Sequence, residues 1–326
     1  MSNKINLAIL TGGESAELEI SLASAQVVYN NLNKEKYNIC TVNISKFPWS
    51  VSVNNKKIAE IDLNDFSYML NKEKQFFDIV FMSIHGTPAE DGKIQGYFDL
   101  LKIPYTCSGT LASSITFDKD ICKQILKDFP VKQAKSVLIN KLNHNTIVVK
   151  EHLEFPVFVK PNKNGSSYGA NKVKKNEDLE EAIRKAFIYD DEVLVEEFID
   201  GRELACGVIQ NKGELIALPI TEIISENEFF DYEAKYLGKA KEVTPADIPN
   251  NIRDEAQSLA KQIFSFLKLK GAARIDYFLK ESDLYLIEIN TIPGLSAESI
   301  LPQEAKAHGY TLETFFDIMI QESLNN

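Results

Sequence analysis

The chain has 326 residues, of which 44% are hydrophobic and 25% are charged, so it is long enough for two or three domains with sizeable cores. A formal net charge of −11 argues against a nucleic acid or an anionic membrane as a partner, although a local basic pocket is compatible with it. The sequence shows no long apolar run, no signal-peptide layout, and no metal or redox spacing among its four cysteines. We therefore expect a cytoplasmic globular protein with reduced thiols.

The first third of the chain alternates predicted strands and helices. Continuous apolar runs predict three strands, at residues 5–10, 37–44 and 77–84. Apolar residues at helical spacing predict helices over 18–32 and from residue 94 to residue 101. This alternation is typical of an open parallel sheet, in which ligands collect beyond the carboxyl ends of the strands. The Gly12-Gly13 turn lies at such an end, but it is not the G-x-G-x-x-G of a dinucleotide site.

The middle segment contains a Gly/Ser-rich loop between two predicted strands. The strands cover 156–160 and 171–174, and backbone N–H groups of residues 165–167 in the loop can cradle phosphate groups. Lys160, just before the loop, favours this interpretation. An ordinary turn is the alternative, because Asn-Gly-Ser-Ser is also typical of turns. The other predicted elements of this segment are helices at 119–126 and 178–187 and a strand at 192–198.

The last segment is predicted to contain a lid and a hairpin. A polar stretch, 225–249, is long for a connection without secondary structure, and such loops are often active-site lids. The predicted elements around it are strands at 202–210 and 214–224, a helix at 252–267, a hairpin of 271–279 with 284–290, and helices at 304–308 and 312–324.

This hairpin is predicted to bring four polar side chains together. If its turn centres on Ser282, Asp276 lies opposite Glu288. By the same register, Arg274 lies opposite Asn290, and all four side chains share one face because side chains alternate along a strand. The other face is predicted to be core and contains Ile275, Tyr277, Leu279, Tyr285, Ile287 and Ile289. Towards the turn, the polar face is expected to become apolar at Phe278, Leu284 and Leu286.

The facing carboxylates of Asp276 and Glu288 suggest a metal site. Cross-strand Cβ atoms lie about 5 Å apart. Two carboxylates at that separation repel each other unless a cation lies between them or one of them is protonated. Together with Asn290 they supply only oxygen ligands, which suit Mg²⁺ better than zinc. The alternative is a solvated hairpin face with a salt bridge between Arg274 and Asp276, although such exposed pairs rarely lie in so apolar a frame.

Six sequence blocks, in this order, resemble the D-alanine–D-alanine ligase family of the ATP-grasp superfamily. The resemblance covers nearly the whole chain, with two departures: Ala89 replaces a usual glycine, and Glu197 stands where relatives often carry lysine. The blocks are Gly12-Gly13-Glu14-Ser15-Ala16-Glu17; His85-Gly86 with Glu90-Asp91-Gly92; Lys160-Pro161 with Gly165-Ser166-Ser167; Tyr232-Glu233-Ala234-Lys235-Tyr236; Arg274-Ile275-Asp276; and Glu288-Ile289-Asn290-Thr291-Ile292-Pro293-Gly294.

The resemblance implies an α/β fold in which an N-terminal open parallel-sheet domain precedes a two-subdomain, α+β ATP-grasp part. The expected boundaries are 1–107 for the first domain, 108–195 for the central subdomain and 196–326 for the C-terminal subdomain with its metal site and lid. The implied reaction joins two D-alanines through an acylphosphate, for peptidoglycan precursor synthesis. It uses ATP and two Mg²⁺ ions, which Mn²⁺ can replace, in a homodimeric protein.

The resemblance also implies a role for individual residues. The implied catalytic residues are Glu17, Ser166, Tyr236, Arg274 and Gly294, where Arg274 and the Gly294 N–H form an oxyanion hole. Those implied to bind the two D-alanines are Glu17, His85, Lys235 and Ser299. Those implied to bind ATP are Lys119, Lys160, Ser166, Ser167, Glu196, Glu197, Ile199, Glu203 and Lys235. The implied metal ligands are Asp276, Glu288 and Asn290.

Structural alternatives exist for several of these residues. Glu17 could place charge at a helix N-terminus, and His85 could hydrogen-bond locally. Lys119 could be a solvated helix residue, and Tyr236 could be lid packing. At the level of function, the alternatives are a ligase of the same fold with D-lactate or D-serine as second substrate, and a nucleotide-binding regulatory protein without catalysis. Arg274 argues against the regulatory protein, because binding alone does not require an oxyanion donor.

Overall fold

Three β-sheets with flanking helices make up the computed structural model, which describes residues 4–15, 17–225 and 240–325. The α/β class predicted from the sequence is confirmed. In the described ranges, no helix combines the length and apolar character needed to cross a membrane. The predicted lid, 225–249, lies largely outside the described residues, and so do Lys235 and Tyr236.

The N-terminal sheet is mixed, not parallel as predicted. Its parallel part consists of the three predicted strands, with β1 (Ile5–Thr11) between β2 (Tyr37–Asn43) and β7 (Ile79–Met82). Four antiparallel strands extend the sheet beyond β2: β3 (Ser50–Val53), β4 (Lys56–Asp62), β5 (Ser67–Leu70) and β6 (Glu73–Gln75). Helices α1 (Leu18–Asn31) and α2 (Lys93–Leu101) follow β1 and β7.

The middle sheet is antiparallel, with strand order β11-β10-β12-β9. Its strands are β9 (Ser136–Asn140), β10 (Val157–Pro161), β11 (Asn171–Val173) and β12 (Glu192–Glu197). The helices of this part are α3 (Thr110–Phe117), α4 (Lys119–Ile125), α5 (Ile147–His152) and α6 (Leu179–Ala186). The Gly/Ser-rich loop joins β10 to β11, as predicted.

The C-terminal sheet has the strand order β16-β15-β13-β17-β18-β8, with β14 paired to β13. Its strands are β8 (Lys132–Gln133), β13 (Arg202–Asn211), β14 (Glu214–Ala217), β15 (Thr221–Ser225), β16 (Ala240–Val243), β17 (Ala272–Lys280) and β18 (Asp283–Asn290). The helices are α7 (Asn250–Phe266), α8 (Ile300–His308) and α9 (Leu312–Asn325). The single strand predicted at 214–224 is thus wrong: the stretch is split where Pro219 lacks the N–H that a continuous ladder needs.

The hairpin of β17 and β18 has the predicted register only at its polar end. Asp276 pairs with Glu288 and Arg274 with Asn290, but a bulge shifts the register by one residue between Asp276 and Tyr277. Beyond the bulge the faces of β18 are therefore exchanged, and the prediction was wrong for four residues. Leu284 and Leu286 pack with the core, whereas Tyr285 and Ile287 line the cleft beside Phe278.

One core cluster joins the N-terminal sheet to the end of the chain. Phe81 of β7 packs edge to face against Phe316 of α9, with ring centroids 5.7 Å apart. The same cluster includes Ile209 of β13 and Leu295, the residue after Gly294. This packing places the loops after β1 and β7 next to the loop after β18. The domain boundaries at 107/108 and 195/196 stay predictions.

Candidate active site

Three of the hairpin's polar side chains form a connected cluster on β17 and β18. Arg274 donates two hydrogen bonds to the buried Asp276 carboxylate, at 2.8 Å from Nε and 2.7 Å from Nη2. Asn290 donates a third, at 3.1 Å. Burial opposes the charge of Arg274, but the adjacent Asp276 carboxylate holds the pKa of the guanidinium above its ordinary value. The salt bridge considered as an alternative therefore exists, but it is buried and not solvated.

The cluster fits the chemistry of a magnesium site. Asp276, Glu288 and Asn290 lie at one end of the hairpin and supply carboxylate and amide oxygens, the ligands that Mg²⁺ prefers. Within the described ranges, no three or more His, Cys, Asp and Glu side chains form a metal-binding group, and the predicted set has only two carboxylates. The Lys119 ammonium lies 3.7 Å from the Glu288 carboxylate. Positive charge from Lys119 and Arg274 thus balances the acidic pair, and the metal-ligand assignment stays a prediction.

A cleft of about 350 Å³ lies between the middle and the C-terminal sheets and ends at Glu288. Seven of the residues predicted to bind ATP line it: Lys119, Lys160, Ser167, Glu196, Glu197, Ile199 and Glu203. The cleft also has an apolar wall that was not predicted, although Phe278 was expected on the same hairpin face as the carboxylates. The wall includes Phe158, Phe198, Phe278, Tyr285 and Ile287. Phe158 could have been found, because it lies two residues before Lys160 on one strand and so shares its face.

A buried carboxylate between two lysines lies inside this cleft. Glu196 of β12 accepts from Lys160 at 2.7 Å and from Lys123 at 2.5 Å. Burial alone would raise the pKa of Glu196, but the two ammonium groups lower it to about 2. Lys123 was not predicted, although it lies four residues after Lys119 on α4 and hence on the same helix face. The predicted binding of ATP by Glu196 must therefore involve a carboxylate that already accepts hydrogen bonds from two lysines.

We expect Glu196→Gln to destabilise the protein, because the buried Lys160 and the partly buried Lys123 lose their counter-charge. Removing one partner of a buried ion pair typically costs about 3–5 kcal/mol. The pKa of Glu196 is lowered from 4.5 in the unfolded reference to about 2, so its stabilisation is complete above pH 4.5 and lost as the pH falls towards 2. Urea unfolding of both proteins from pH 7 to pH 2 measures this. A stability gap that does not shrink with acid would contradict the assignment.

The Gly/Ser-rich loop is attached to the start of α4. Asn162 is fully buried and accepts from the Asp120 N–H at 2.9 Å, while Lys119 Nζ donates to the Asn164 carbonyl at 2.7 Å. Ser166 and Ser167 have φ of 52° and 56°, a left-handed backbone conformation that residues other than glycine rarely adopt. Lys119 is therefore not the solvated helix residue of the alternative interpretation, because only 11% of its side chain is exposed.

Glu17 joins the N-terminal domain to this loop. It occupies the N-cap position of α1, but its carboxylate makes no capping hydrogen bond there. The carboxylate instead accepts from the Ser166 hydroxyl. A Cβ atom at Gly165 would lie 2.8 Å from Glu17 Oε2, so a side chain there would displace the Glu17 carboxylate. Ser166 and Glu17 belong to two of the sequence blocks that resemble the family, and the structure brings their side chains together. Tyr236 lies outside the described residues.

His85 is buried at the end of β7, and both of its ring nitrogens have protein partners. Nδ1 lies 3.0 Å from the Ile292 carbonyl oxygen, and Nε2 lies 3.0 Å from the Ser24 hydroxyl. The backbone N–H of His85 donates to Ser21 Oγ at 2.9 Å. These contacts agree with the local hydrogen-bonding alternative, and direct contact with a substrate stays a prediction.

Gly294 and Ser299 lie against each other in the loop that connects β18 to α8. A Cβ atom at Gly294 would lie 2.7 Å from Ser299 Oγ. Ser299 Oγ in turn accepts from the Ser296 N–H at 3.1 Å. The proposed oxyanion donor and the proposed carboxylate-binding hydroxyl are thus neighbours in space.

Comparison with known proteins finds relatives over nearly the whole chain. The family model described as D-ala D-ala ligase N-terminus matches residues 6–108, and that described as D-ala D-ala ligase C-terminus matches residues 126–321. The chain is 45% identical to a D-alanine–D-alanine ligase of Flavobacterium johnsoniae over 320 residues, which cover 98% of this chain and 99% of that protein. It is 41% identical to one of Bacteroides fragilis over 322 residues, with the same coverage.

A solved structure extends the similarity to the fold. The VanG D-Ala:D-Ser ligase from Enterococcus faecalis matches with a TM-score of 0.89 at 31% identity, covering 98% of this chain and all of that one. The ATP-grasp fold implied by the sequence blocks is thereby confirmed, and ligases of this kind use ATP and a divalent metal ion. The chain belongs to the D-alanine–D-alanine ligase family.

Proposed function

We propose that this chain uses ATP to join two D-alanine molecules into D-alanyl-D-alanine, a precursor of peptidoglycan. The observation that carries the proposal is that the Gly/Ser-rich loop contacts both the N-terminal domain and the residues next to the hairpin's carboxylates. Glu17 reaches the loop from the N-terminal domain, Lys119 contacts both the loop and Glu288, and the loop itself closes one end of the cleft. An amino acid held by Glu17 would therefore lie where the cleft meets the hairpin's carboxylates.

The reaction has two steps. An oxygen of the first D-alanine's carboxylate attacks the terminal phosphorus of ATP, which forms an acylphosphate and releases ADP. The amine of the second D-alanine then attacks the acyl carbon, loses a proton, and expels phosphate as the C–N bond replaces the C–O bond. When bound at Asp276, Glu288 and Asn290, Mg²⁺ would supply positive charge that offsets the charge of the phosphates.

The chain's own residues bind and orient the reactants in this proposal. Glu17 binds the ammonium group of the first D-alanine, and Lys119 and Lys160 bind phosphates of ATP. Arg274 and the Gly294 N–H stabilise the oxyanion of the tetrahedral intermediate. The second carboxylate is bound by Ser299 and Lys235, while Tyr236 closes the site.

Two observations bear on the choice of second substrate. The curated relatives at 41% and 45% identity are D-alanine–D-alanine ligases. The D-Ala:D-Ser ligase is less similar than these relatives, at 31% identity, although it is more similar than the solved D-alanine–D-alanine ligase from Bacillus anthracis, at 28%. We therefore place D-alanine before D-serine as the second substrate, and we further propose that the protein works as a homodimer in the cytoplasm.

The test is phosphate release with ATP, Mg²⁺ and D-alanine, combined with mass spectrometry of the product. We expect D-alanine-dependent phosphate release and a dipeptide mass, which chelation of the metal with EDTA should abolish. L-Alanine should give neither. If D-serine or D-lactate competes at equal concentration and its mixed product with D-alanine exceeds D-alanyl-D-alanine, the alternative ligases are favoured. Binding of ATP without turnover would favour the regulatory protein.

Gly294→Ala should raise the KM for the second D-alanine more than the KM for ATP. The new methyl group would lie 2.7 Å from Ser299 Oγ, so the hydroxyl proposed to bind the second carboxylate must move. Overpacking typically costs about 1–3 kcal/mol, or roughly 5-fold to 150-fold in an equilibrium constant. Gly96→Ala is the matched control, because its nearest neighbour would be 3.7 Å away. Equal KM values for the second D-alanine in the two variants would contradict the role of Ser299.

A further inference from the structure

Helix α1 buries two serines where apolar residues are the rule. Ser21 and Ser24 are both fully buried, beside Ala25 and Val28 on the inner face of the helix. A buried hydroxyl is expected to be hydrogen-bonded, since an unpaired one is costly. Ser21 donates to the Glu17 carbonyl at 3.2 Å and accepts from the His85 N–H. Ser24 has no role in the reaction as described so far.

Ser24, His85 and the loop after β18 form a closed ring of hydrogen bonds. His85 Nδ1 faces the Ile292 carbonyl oxygen, which can only accept, so this nitrogen carries the proton. The Glu90 carboxylate, 3.9 Å from the same nitrogen, also favours a proton there. When the imidazole is neutral, its Nε2 then accepts from the Ser24 hydroxyl. The Ser24 oxygen accepts in turn from the Leu295 N–H, at a longer 3.4 Å.

The two ends of this ring lie on either side of Gly294. The Ile292 carbonyl is two residues before it, and the Leu295 N–H belongs to the peptide bond that follows it. Ile292 and Leu295 are buried, at 4% and 1% exposure, so both flanks of the turn are also packed. The direction in which the Gly294 N–H points is therefore set from both sides by Ser24 and His85.

We propose that Ser24 is a positioning residue that, together with His85, aims the Gly294 N–H at the reacting carbonyl group. This inference rests on the proposed function. It assigns to His85 an indirect role, through Ile292, in place of direct contact with the first D-alanine. It also explains why α1, which carries Glu17 at its start, has hydroxyl groups on its buried face: the helix connects the first-substrate site to the oxyanion hole.

Ser24→Ala should lower kcat while leaving the KM for ATP nearly unchanged. Removing an oxyanion donor outright typically costs about a hundredfold to a thousandfold in kcat, and misaiming one should cost about tenfold or more. The affinity for a phosphinate mimic of the tetrahedral intermediate should fall with kcat, whereas the affinity for ADP should not. Ser24→Thr, which keeps the hydroxyl, should recover most of the lost kcat. A folded Ser24→Ala variant with wild-type kcat would overturn the proposal.

The matched control is Ser113→Ala. Ser113 is also a fully buried helical serine, in α3. Its hydroxyl donates to the Ser108 carbonyl at 3.2 Å. If the loss of any buried hydroxyl lowers kcat through stability alone, both variants should lose kcat to the same extent, and that result would refute the role of Ser24. We expect only Ser24→Ala to lose kcat, with both variants compared well below their unfolding temperatures.

A measurement on the wild-type protein does not depend on any variant folding. The chain has four histidines, so ¹⁵N NMR of the imidazole nitrogens can resolve His85, with His85→Gln to assign its signals. The ring of hydrogen bonds requires a protonated Nδ1 and an unprotonated Nε2 when the imidazole of His85 is neutral. The opposite tautomer would break the ring and overturn the proposal. Wild-type protein that shows no D-alanine-dependent phosphate release would instead refute the proposed function, which separates the two failures.

Discussion

Replacing Arg274 with alanine should lower kcat by about a hundredfold or more, while the KM for ATP changes little. The guanidinium is proposed to meet negative charge that exists only in the tetrahedral intermediate, so its loss belongs in turnover and not in substrate binding. Its two hydrogen bonds to Asp276, at 2.8 and 2.7 Å, hold the planar group in a single orientation. Steady-state kinetics with each substrate varied in turn measure the expected separation of kcat from KM.

Two further substitutions isolate the cause of this loss. Arg274→Lys keeps the positive charge but cannot make the two-pronged contact with Asp276, so we expect it to recover only part of the lost kcat. Arg253→Ala is the control, because Arg253 pairs with Asp254 on the surface and is 46% exposed. A change confined to KM for ATP in Arg274→Ala would place this residue in ground-state binding of the nucleotide and would contradict the oxyanion assignment.

The hairpin shows how far an alternating pattern predicts a fold. Polar residues occur at every second position at its far end, and there the predicted pairing of Asp276 with Glu288 is confirmed. From Leu284 to Ile287 every residue is apolar, so the pattern contains nothing that would reveal a bulge. The bulge depends on how this strand packs in the sheet, and it exchanges the faces of Tyr285 and Leu286. One of the cleft's aromatic residues, Tyr285, was therefore predicted to be core.

The four missed strands of the N-terminal domain have a different cause. Strands β4 to β6 are largely exposed and β3 is only partly buried, so all four lack the continuous apolar runs that predicted β1, β2 and β7. Their signal lies in the turns: Asn54 and Asn55 between β3 and β4 have φ of 48° and 60°, the left-handed backbone of a tight hairpin turn. Two consecutive asparagines flanked by alternating residues could have predicted that hairpin.

Site residues differ in how much of their role the sequence reveals. Lys160 and Glu288 belong to the sequence blocks, and Lys119 was assigned through the resemblance to the family. The structure brings all three to the same cleft. Lys123 and Ser24 belong to none of the motif blocks. Their partners are 73 and 61 residues away along the chain, so only the tertiary fold reveals that they touch Glu196 and His85.

Glu288→Gln should abolish ligase activity at ordinary Mg²⁺ concentrations while the fold survives. The substitution keeps the shape of the side chain and removes one of the two carboxylate charges proposed to bind the metal ion. The Glu288 side chain is 25% exposed, and Lys119 keeps its hydrogen bond to the Asn164 carbonyl. Asp276 also loses a like-charged cross-strand neighbour. The loss of the ion pair between Lys119 and Glu288 opposes this relief, so the free energy of unfolding without metal should change little.

The separation of binding from folding makes Glu288→Gln a sharp test of the metal assignment. Because Mn²⁺ is expected to replace Mg²⁺, electron paramagnetic resonance can measure its binding with ADP present, without turnover. We expect weaker Mn²⁺ binding in Glu288→Gln and none of this weakening in Glu281→Gln, since Glu281 lies in the turn at the opposite end of the same hairpin. High Mg²⁺ should restore part of the activity, because occupancy of a weakened site depends on concentration. Wild-type Mn²⁺ affinity in folded Glu288→Gln would remove Glu288 from the metal site, whatever its activity.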